Sequence, residues 1–457
     1  MNTKTSIFTN IRLVTILTFF VLSTGFSQVR AQEHESRAHT VSLGLNEAID
    51  LALDQNFSIE QAGYEAEKFR ARYQQTRAAF LPQLSFEYDA ISTNDPLNVF
   101  GFKLRQEVVS QQDFNPELLN DPGSYENYTA RFQVRQPLVN ADRYFQRQAV
   151  RSQSKAADEN LKEAKSYVRY QVQEFYFNLV LHQRQLDVVE SALETAGEHR
   201  RQARNFFEEG MLSKEDFLSA RVYELEMESR KMNIENDLSS VREELALILG
   251  MEGSVVIHPM DDPGLSVAPD INQTEAVSEM ENARTRAIAH QVEAAEKMVQ
   301  SARFRFLPTV NLFGTYEFND NDFAGFDASS YMIGANLTWN VFSGYSKAGK
   351  VSEARAGLRQ AQSMQQNNRL DQENRVRQAL RNLNHAEQEL VVTEESIRQS
   401  TEDVRIRTNR YNEGLERTTD LLEAETKLAE ARLKKIMAHY KHNMSIAALE
   451  MLLETNI

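Results

Sequence analysis

The chain is 457 residues long, carries a formal net charge of −15 and contains no cysteine. The missing thiols exclude disulfides, thiolate metal sites, cysteine nucleophiles and a lipid anchor on an N-terminal cysteine. The negative charge speaks against nucleic acid, whose phosphates it repels.

Lys4 and Arg12 precede the apolar run Leu13–Phe26, and Val29 and Ala31 are the small residues of a cleavage site. Residues 1–31 read as a secretory signal peptide cut after Ala31. The run is short for a membrane span, and no later stretch reaches the roughly 18 apolar residues that a helical span needs. Entry into a membrane therefore requires strands.

Helical spacing covers Leu45–Ala78 and stops at Pro82, which cannot continue a helix. The period then becomes two. Leu84, Phe86, Tyr88 and Ala90 alternate with Gln83, Ser85, Glu87 and Asp89. A long connection, Ser92–Asn127, leads to a second alternating stretch, in which Tyr128, Ala130, Phe132 and Val134 oppose Thr129, Arg131, Gln133 and Arg135. From Ala141 to Glu209 apolar residues recur in steps of three and four, as in Leu161, Ala164, Val168 and Val172. This predicts one helix about 100 Å long at 1.5 Å per residue. A rod of that length needs coiled-coil partners. Gly210 interrupts it, a helix Lys214–Leu249 follows, and Gly250–Asp270 reads as an irregular connector.

The order then recurs: a helix Thr274–Phe304, strands around Val310–Phe318 and Tyr331–Leu337 joined by a short polar loop, a long helix Lys347–Glu413, Gly414, and a helix Thr418–Leu453. Three landmarks pair in order across the two halves. "AFLPQLSFEYDA" matches "RFLPTVNLFGTYEF", "RFQVRQPLVNADR" matches "GANLTWNVFSGYS", and "FEEGMLSKEDFLSA" matches "YNEGLERTTDLLEA". The chain thus divides into the signal peptide 1–31, a first repeat 32–250, a connector 251–272 and a second repeat 273–457. Two short helices laid end to end match each long one, so each repeat predicts a helical hairpin.

Period two over about ten residues, apolar on one side and polar on the other, is the signature of outer-membrane strands. Phe80, Trp339, Phe342 and Tyr345 lie at strand ends, where aromatic rings mark membrane interfaces. Four strands cannot close a barrel, for which about eight is the minimum. Several copies must share one barrel, with 8 strands from two copies or 12 from three. The expected fold is mainly α, with long coiled-coil hairpins forming a tunnel below a shared membrane β-barrel.

At this point the chain resembles the TolC family of outer-membrane efflux proteins. The resemblance rests on the duplicated FLP-then-strand motif, the "QPLV"/"NVFSG" strand-to-helix landmark and the two E-G-[ML]-x4-D-[FL]-L-x-A stretches, and it covers nearly all of the mature chain. It implies a homotrimer with a 12-stranded barrel in outer-membrane lipid and a helical tunnel in the periplasm. The tunnel tip docks a periplasmic adaptor, which recruits an inner-membrane transporter. Gly210 and Gly414 then mark hairpin turns at the tip, and Gly210, Met211, Leu212, Gly414 and Leu415 are the residues expected to meet the adaptor. Family members close this end with a tyrosine, an arginine and an aspartate. Tyr411 and Asp216 match that pattern, while Glu416 stands at the arginine position with Arg417 beside it. Three copies would add acidic rings of Asp420 and Glu423 at the constriction.

Within the tip, Ser213 is placed to cap the returning helix, and Thr418 or Thr419 is the expected cap in the second copy. No H-E-x-x-H, G-x-S-x-G or P-loop pattern occurs, so neither enzymatic activity nor a cofactor is expected. The histidines of "HYKH" (His439–His442) read as a solvated pair rather than a metal site. A periplasmic coiled-coil adaptor also carries a long helical hairpin. It would need one hairpin between β-rich regions, whereas this chain has two hairpins, each with a strand pair.

Overall fold

The computed structural model describes residues 39–251, 255–260, 264–266 and 281–454. The segment read as a signal peptide lies outside these residues, as does the expected helix start at Thr274.

The expected single helix Leu45–Ala78 is broken. Helix α1 (Leu45–Gln55) ends at Asn56, whose backbone is extended and whose Oδ1 accepts from Ser58 N (2.9 Å) to cap α2 (Phe57–Gln75). The Asn56 amide also donates to Ile248 O at 2.8 Å, a partner 192 residues away. A distant carbonyl and a local cap together hold a break that apolar periodicity does not register. A 3-10 turn, Thr76–Ala79, then leads to Pro82.

Strands β2 (Gln83–Thr93), β3 (Tyr125–Val139), β5 (Thr309–Asp320) and β6 (Ala328–Thr338) form one antiparallel sheet in the order β2-β3-β5-β6. Register places Phe86, Phe132, Tyr316 and Tyr331 in one cross-strand row, and Leu84, Val134, Gly314 and Ile333 in the next. The rings of Phe86 and Phe132 are 4.9 Å apart. The opposite face is polar. There Arg131 bridges Glu317 (Nε to Oε1, 2.6 Å) and Glu87 (3.2 Å) on its two flanking strands. The two halves thus lie side by side in a single sheet with one apolar face and one charged face. Between β2 and β3, the long connection contains two short helices, α3 (Pro96–Arg105) and α4 (Pro116–Asn120).

Two strands were not legible in advance. β1 (His39–Leu43) pairs in parallel with β4 (Val255–Pro259), so the segment expected to be an irregular connector contributes a strand. The partners lie more than 200 residues apart, and neither is long enough to show a period of two.

The long helices match their expected spans. α5 runs over Ala141–Glu208 and α8 over Ser346–Asn412, 68 and 67 residues. α5 packs along α2 and α7 (Ala283–Phe304) near the sheet, and along α6 (Lys214–Ile248) and α9 (Thr418–Leu453) toward the other end. α8 packs along α7 and then α9 in the same way. Short helices stacked along each long one bury its stripe. Val168, Val172, Tyr176 and Leu179 of α5 meet Leu238, Val241 and Leu245 of α6, with Ala48 and Ile49 of α1. Val376 and Leu383 of α8 meet Ile446 and Leu449 of α9. Burial of one such aliphatic side chain stabilises by about 1.5–3 kcal/mol, repeated turn after turn, which holds helices too long to stand alone.

Candidate functional site

The end of the helical body remote from the sheet is made by two glycine turns of the same geometry. α5 stops because Gly210 takes φ +77°, and Gly414 ends α8 at φ +72°. In the first turn Gly210 N donates to Phe207 O (3.0 Å) and Met211 N to Phe206 O (2.8 Å); in the second Gly414 N donates to Tyr411 O (3.0 Å) and Leu415 N to Arg410 O (2.8 Å). These paired bonds close a helix end through a left-handed residue, which only glycine adopts without strain. Met211 and Leu415 protrude into solvent, and Leu212 turns back against the buried cluster that includes Ala203, Ala220 and Leu422.

The turns differ in how they launch the returning helix. Ser213 Oγ accepts from Asp216 N (3.1 Å) and donates to Asp216 Oδ2 (2.6 Å), which caps α6 as expected. The second copy corrects the expectation of a threonine cap. Arg417 holds the cap position without a side-chain bond, and its carbonyl accepts from Asp420 N and Leu421 N. Thr418 is buried inside the first turn and reaches the Tyr411 hydroxyl at 3.5 Å. Its side chain is spent on packing Tyr411, so it cannot fold back over the helix end.

Asp216 lies within the electrostatic reach of Tyr411. Burial pushes the Tyr411 hydroxyl above its ordinary range, and the Asp216 carboxylate adds to the effect. Phe206 sits 6.1 Å from the Tyr411 ring, and Gln202 Nε2 donates to Asn412 Oδ1 at 2.8 Å, so the two hairpins of one chain are joined at their ends. Deeper in, His199 Nε2 lies 3.3 Å from Glu425 Oε1.

Glu416, at the position where the family pattern has arginine, has a role that was not anticipated. Its carboxylate is held by Arg407 Nη1 (3.0 Å) and Arg410 Nε (2.8 Å) from the last turns of α8, while Arg407 also binds Asp403 (3.0 Å). The spacing R-x-x-R two turns ahead of a glycine was the available signal, since i and i+3 share a helix face. Asp420 lies within the electrostatic reach of Arg407. Glu423 points to solvent and pairs with Lys427 at 2.7 Å, which lowers its carboxyl below the usual range.

At the sheet end, Trp339, Phe342 and Tyr345 are exposed on the segment joining β6 to α8. Trp339 Nε1 donates to Phe306 O (3.0 Å), and Phe342 meets Tyr345 edge-on at 5.8 Å. Phe80 lies on the neighbouring connection beneath the Arg147 guanidinium, at 5.9 Å.

Among the described residues no group of three or more histidine and acidic side chains could hold a metal. His442, expected to be solvated, is buried and contacts Asn443 (3.4 Å). The face of α9 that carries it is covered by neighbouring elements, which helical spacing alone does not reveal.

Three comparisons bear on this architecture. The family model for outer membrane efflux proteins matches residues 48–251 and 279–454. The alkaline protease secretion protein AprF of Pseudomonas aeruginosa is 20% identical over 357 residues, 75% of this chain and 69% of its own. Among solved structures, the CmeC outer membrane channel of Campylobacter jejuni superposes with a TM-score of 0.78 at 18% identity, covering 90% of this chain and 85% of its own. The open state of the MtrE outer membrane channel of Neisseria gonorrhoeae superposes with a TM-score of 0.74 at 18% identity, covering 90% and 88%. With both repeats matched by the family model and the hairpin-and-sheet fold shared with such channels, the chain belongs to the outer membrane efflux protein family.

Proposed function

We propose that this chain is the exit duct of a tripartite efflux or secretion system: a passive outer-membrane channel, gated at its glycine turns and docked there to a periplasmic adaptor and, through it, to an inner-membrane transporter. One observation carries the reading. The sheet has an apolar face and a charged face, the outer edges of β2 and β6 have no partner among the described residues, and it stands at one end of helices about 100 Å long. An unpaired edge in lipid costs several kcal/mol per backbone group. Pairing β6 of one copy with β2 of the next removes every edge, and three copies give 12 strands. Exposed Val391 and Val392 on α8 and Met232 on α6 supply apolar contacts for the same copies along the tunnel.

In this assembly Leu84, Ile333 and Tyr331 face lipid, Arg131 and its acidic partners face the lumen, and Phe80, Trp339, Phe342 and Tyr345 anchor the inner interface. Tyr411, Asp216, Arg417, Asp420 and Glu423 surround the tip constriction, and Gly210, Met211, Leu212, Gly414 and Leu415 offer the surface for the adaptor. Two experiments test the reading. The purified protein should cross-link to a trimer and give discrete conductance steps in planar bilayers, and it should fractionate with the outer membrane. A monomer that forms no channel and follows the inner membrane would favour an adaptor instead.

A further inference from the structure

The connection between β2 and β3, residues 94–124, is far longer than its second-half counterpart, residues 321–327, and the two fold onto opposite faces of the sheet. The short loop covers the apolar face: Phe323 meets the rings of Tyr88 and Tyr128 at 5.9 and 5.8 Å. The long one covers the polar face. Gln106, at the end of α3, donates to Asn127 Oδ1 (2.8 Å) and accepts from the Tyr125 hydroxyl (2.6 Å). Asn127 in turn bonds Thr129 Oγ1 (2.8 Å) and Asn319 Oδ1 (3.2 Å), on the same face as Arg131 and Glu317. Asn127, Thr129, Asn319 and Ala328 are each no more than 2% exposed, although they lie on the face opposite the apolar rows. Helix α3 covers this end of the face, packing on β3 and β6 with Val99 and Phe102 buried. The fold of the insertion is fixed internally by Lys103 on Asp113 (2.6 Å) and by Phe100 against Phe114.

We propose that residues 94–124 form an outer gate: three copies of the insertion meet inside the barrel mouth and close the duct at the end remote from the glycine turns. The inference rests on the shared-barrel reading above. Twelve strands about 4.8 Å apart and tilted by about 40° close a circle roughly 24 Å across. A helix is about 10 Å thick, so a layer of α3 on the wall leaves an opening of only about 4 Å. The insertion also leaves apolar surface uncovered by its own chain, with Leu97 81% and Phe114 61% exposed, alongside Leu104 and Leu118. Inside a closed mouth the surface that meets them is the same insertion from the other two copies.

The test uses the full chain in planar bilayers. Replacing residues 94–124 with the sequence of residues 321–327 should raise single-channel conductance at least about threefold while trimers persist. Val99→Asp with Phe102→Asp, which loosens α3 and leaves the strands intact, should raise it in the same direction. Because the chain lacks cysteine, Leu104→Cys or Phe114→Cys under oxidation should link two copies of each trimer and hold conductance low until a thiol reductant is added. Trimers whose conductance is unchanged in both loosened variants, or cysteine variants that never cross-link, overturn the gate. A wild-type protein that forms neither trimer nor channel removes the channel reading and the gate with it.

Discussion

Glu416→Gln offers the sharpest test of how the tip is held. The substitution keeps the side-chain shape and removes the charge that joins the second glycine turn to α8. The Glu416 side chain is 10% exposed, against 32% for Arg407 and 57% for Arg410. A hydrogen bond to a charged group contributes about 1.5–3 kcal/mol when sheltered, and an exposed ion pair about 0–1 kcal/mol. The Arg407 contact belongs near the lower end of the first range and the Arg410 contact within the second. The amide retains part of both, so the net loss is about 1–2 kcal/mol of local stability, a factor of about 5–30 in the opening equilibrium. Hydrogen exchange read by mass spectrometry on the segment Leu415–Leu422 should accelerate by that factor. The neighbouring change Glu413→Gln, at the solvent-exposed end of α8, should leave the rate unaltered. Exchange within twofold of wild type for Glu416→Gln would refute the argument that this clamp holds the turn.

The double variant Asp420→Ala, Glu423→Ala should raise single-channel conductance and weaken block by multivalent cations; unchanged conductance and block would sink the acidic constriction. Met211→Glu and Leu415→Glu should abolish efflux in cells while leaving trimers folded, and normal efflux counts against the docking surface. Gly414→Ala and Gly250→Ala share a left-handed backbone, at φ +72° and +70°, which costs about 1–2 kcal/mol in either case. A Cβ at Gly414 meets nothing within 4 Å, but at Gly250 it would stand 2.7 Å from Gln55 O, so Gly250→Ala should lower the melting temperature more; equal shifts would remove the clash argument. Finally, the hydrogen bond from Lys103 holds the Asp113 carboxyl down at about 2, below its ordinary 3.8. A carboxyl depressed in the folded state stabilises above the unfolded value and loses that contribution as pH falls through the folded one. Conductance should therefore rise between pH 4 and pH 2, and Asp113→Asn should show the higher value at neutral pH; a flat profile in both proteins contradicts the coupling.

Local physics fixed much of this protein in advance. The long helices declare themselves because steps of three and four persist for nearly 70 residues, and no packing partner is needed to read them. Gly210 and Gly414 declare the turns because a left-handed helix end selects glycine whatever surrounds it. Alternation on the four sheet strands declares their two faces, because a strand with lipid on one side and water on the other must alternate. Duplication then made each half a check on the other.

Tertiary structure decided the rest. Asn56 breaks a helix because a carbonyl 192 residues away completes its bonding. β1 and β4 are strands because each supplies the other's ladder. Thr418 gives up a cap for Tyr411, and Glu416 is neutralised by arginines whose partner no spacing rule names. The side on which residues 94–124 fold follows from Gln106 finding Asn127 across a bend of the chain. In each case the deciding partner lies on another element or across a turn, and periodicity carries information only about neighbours on one helix or strand.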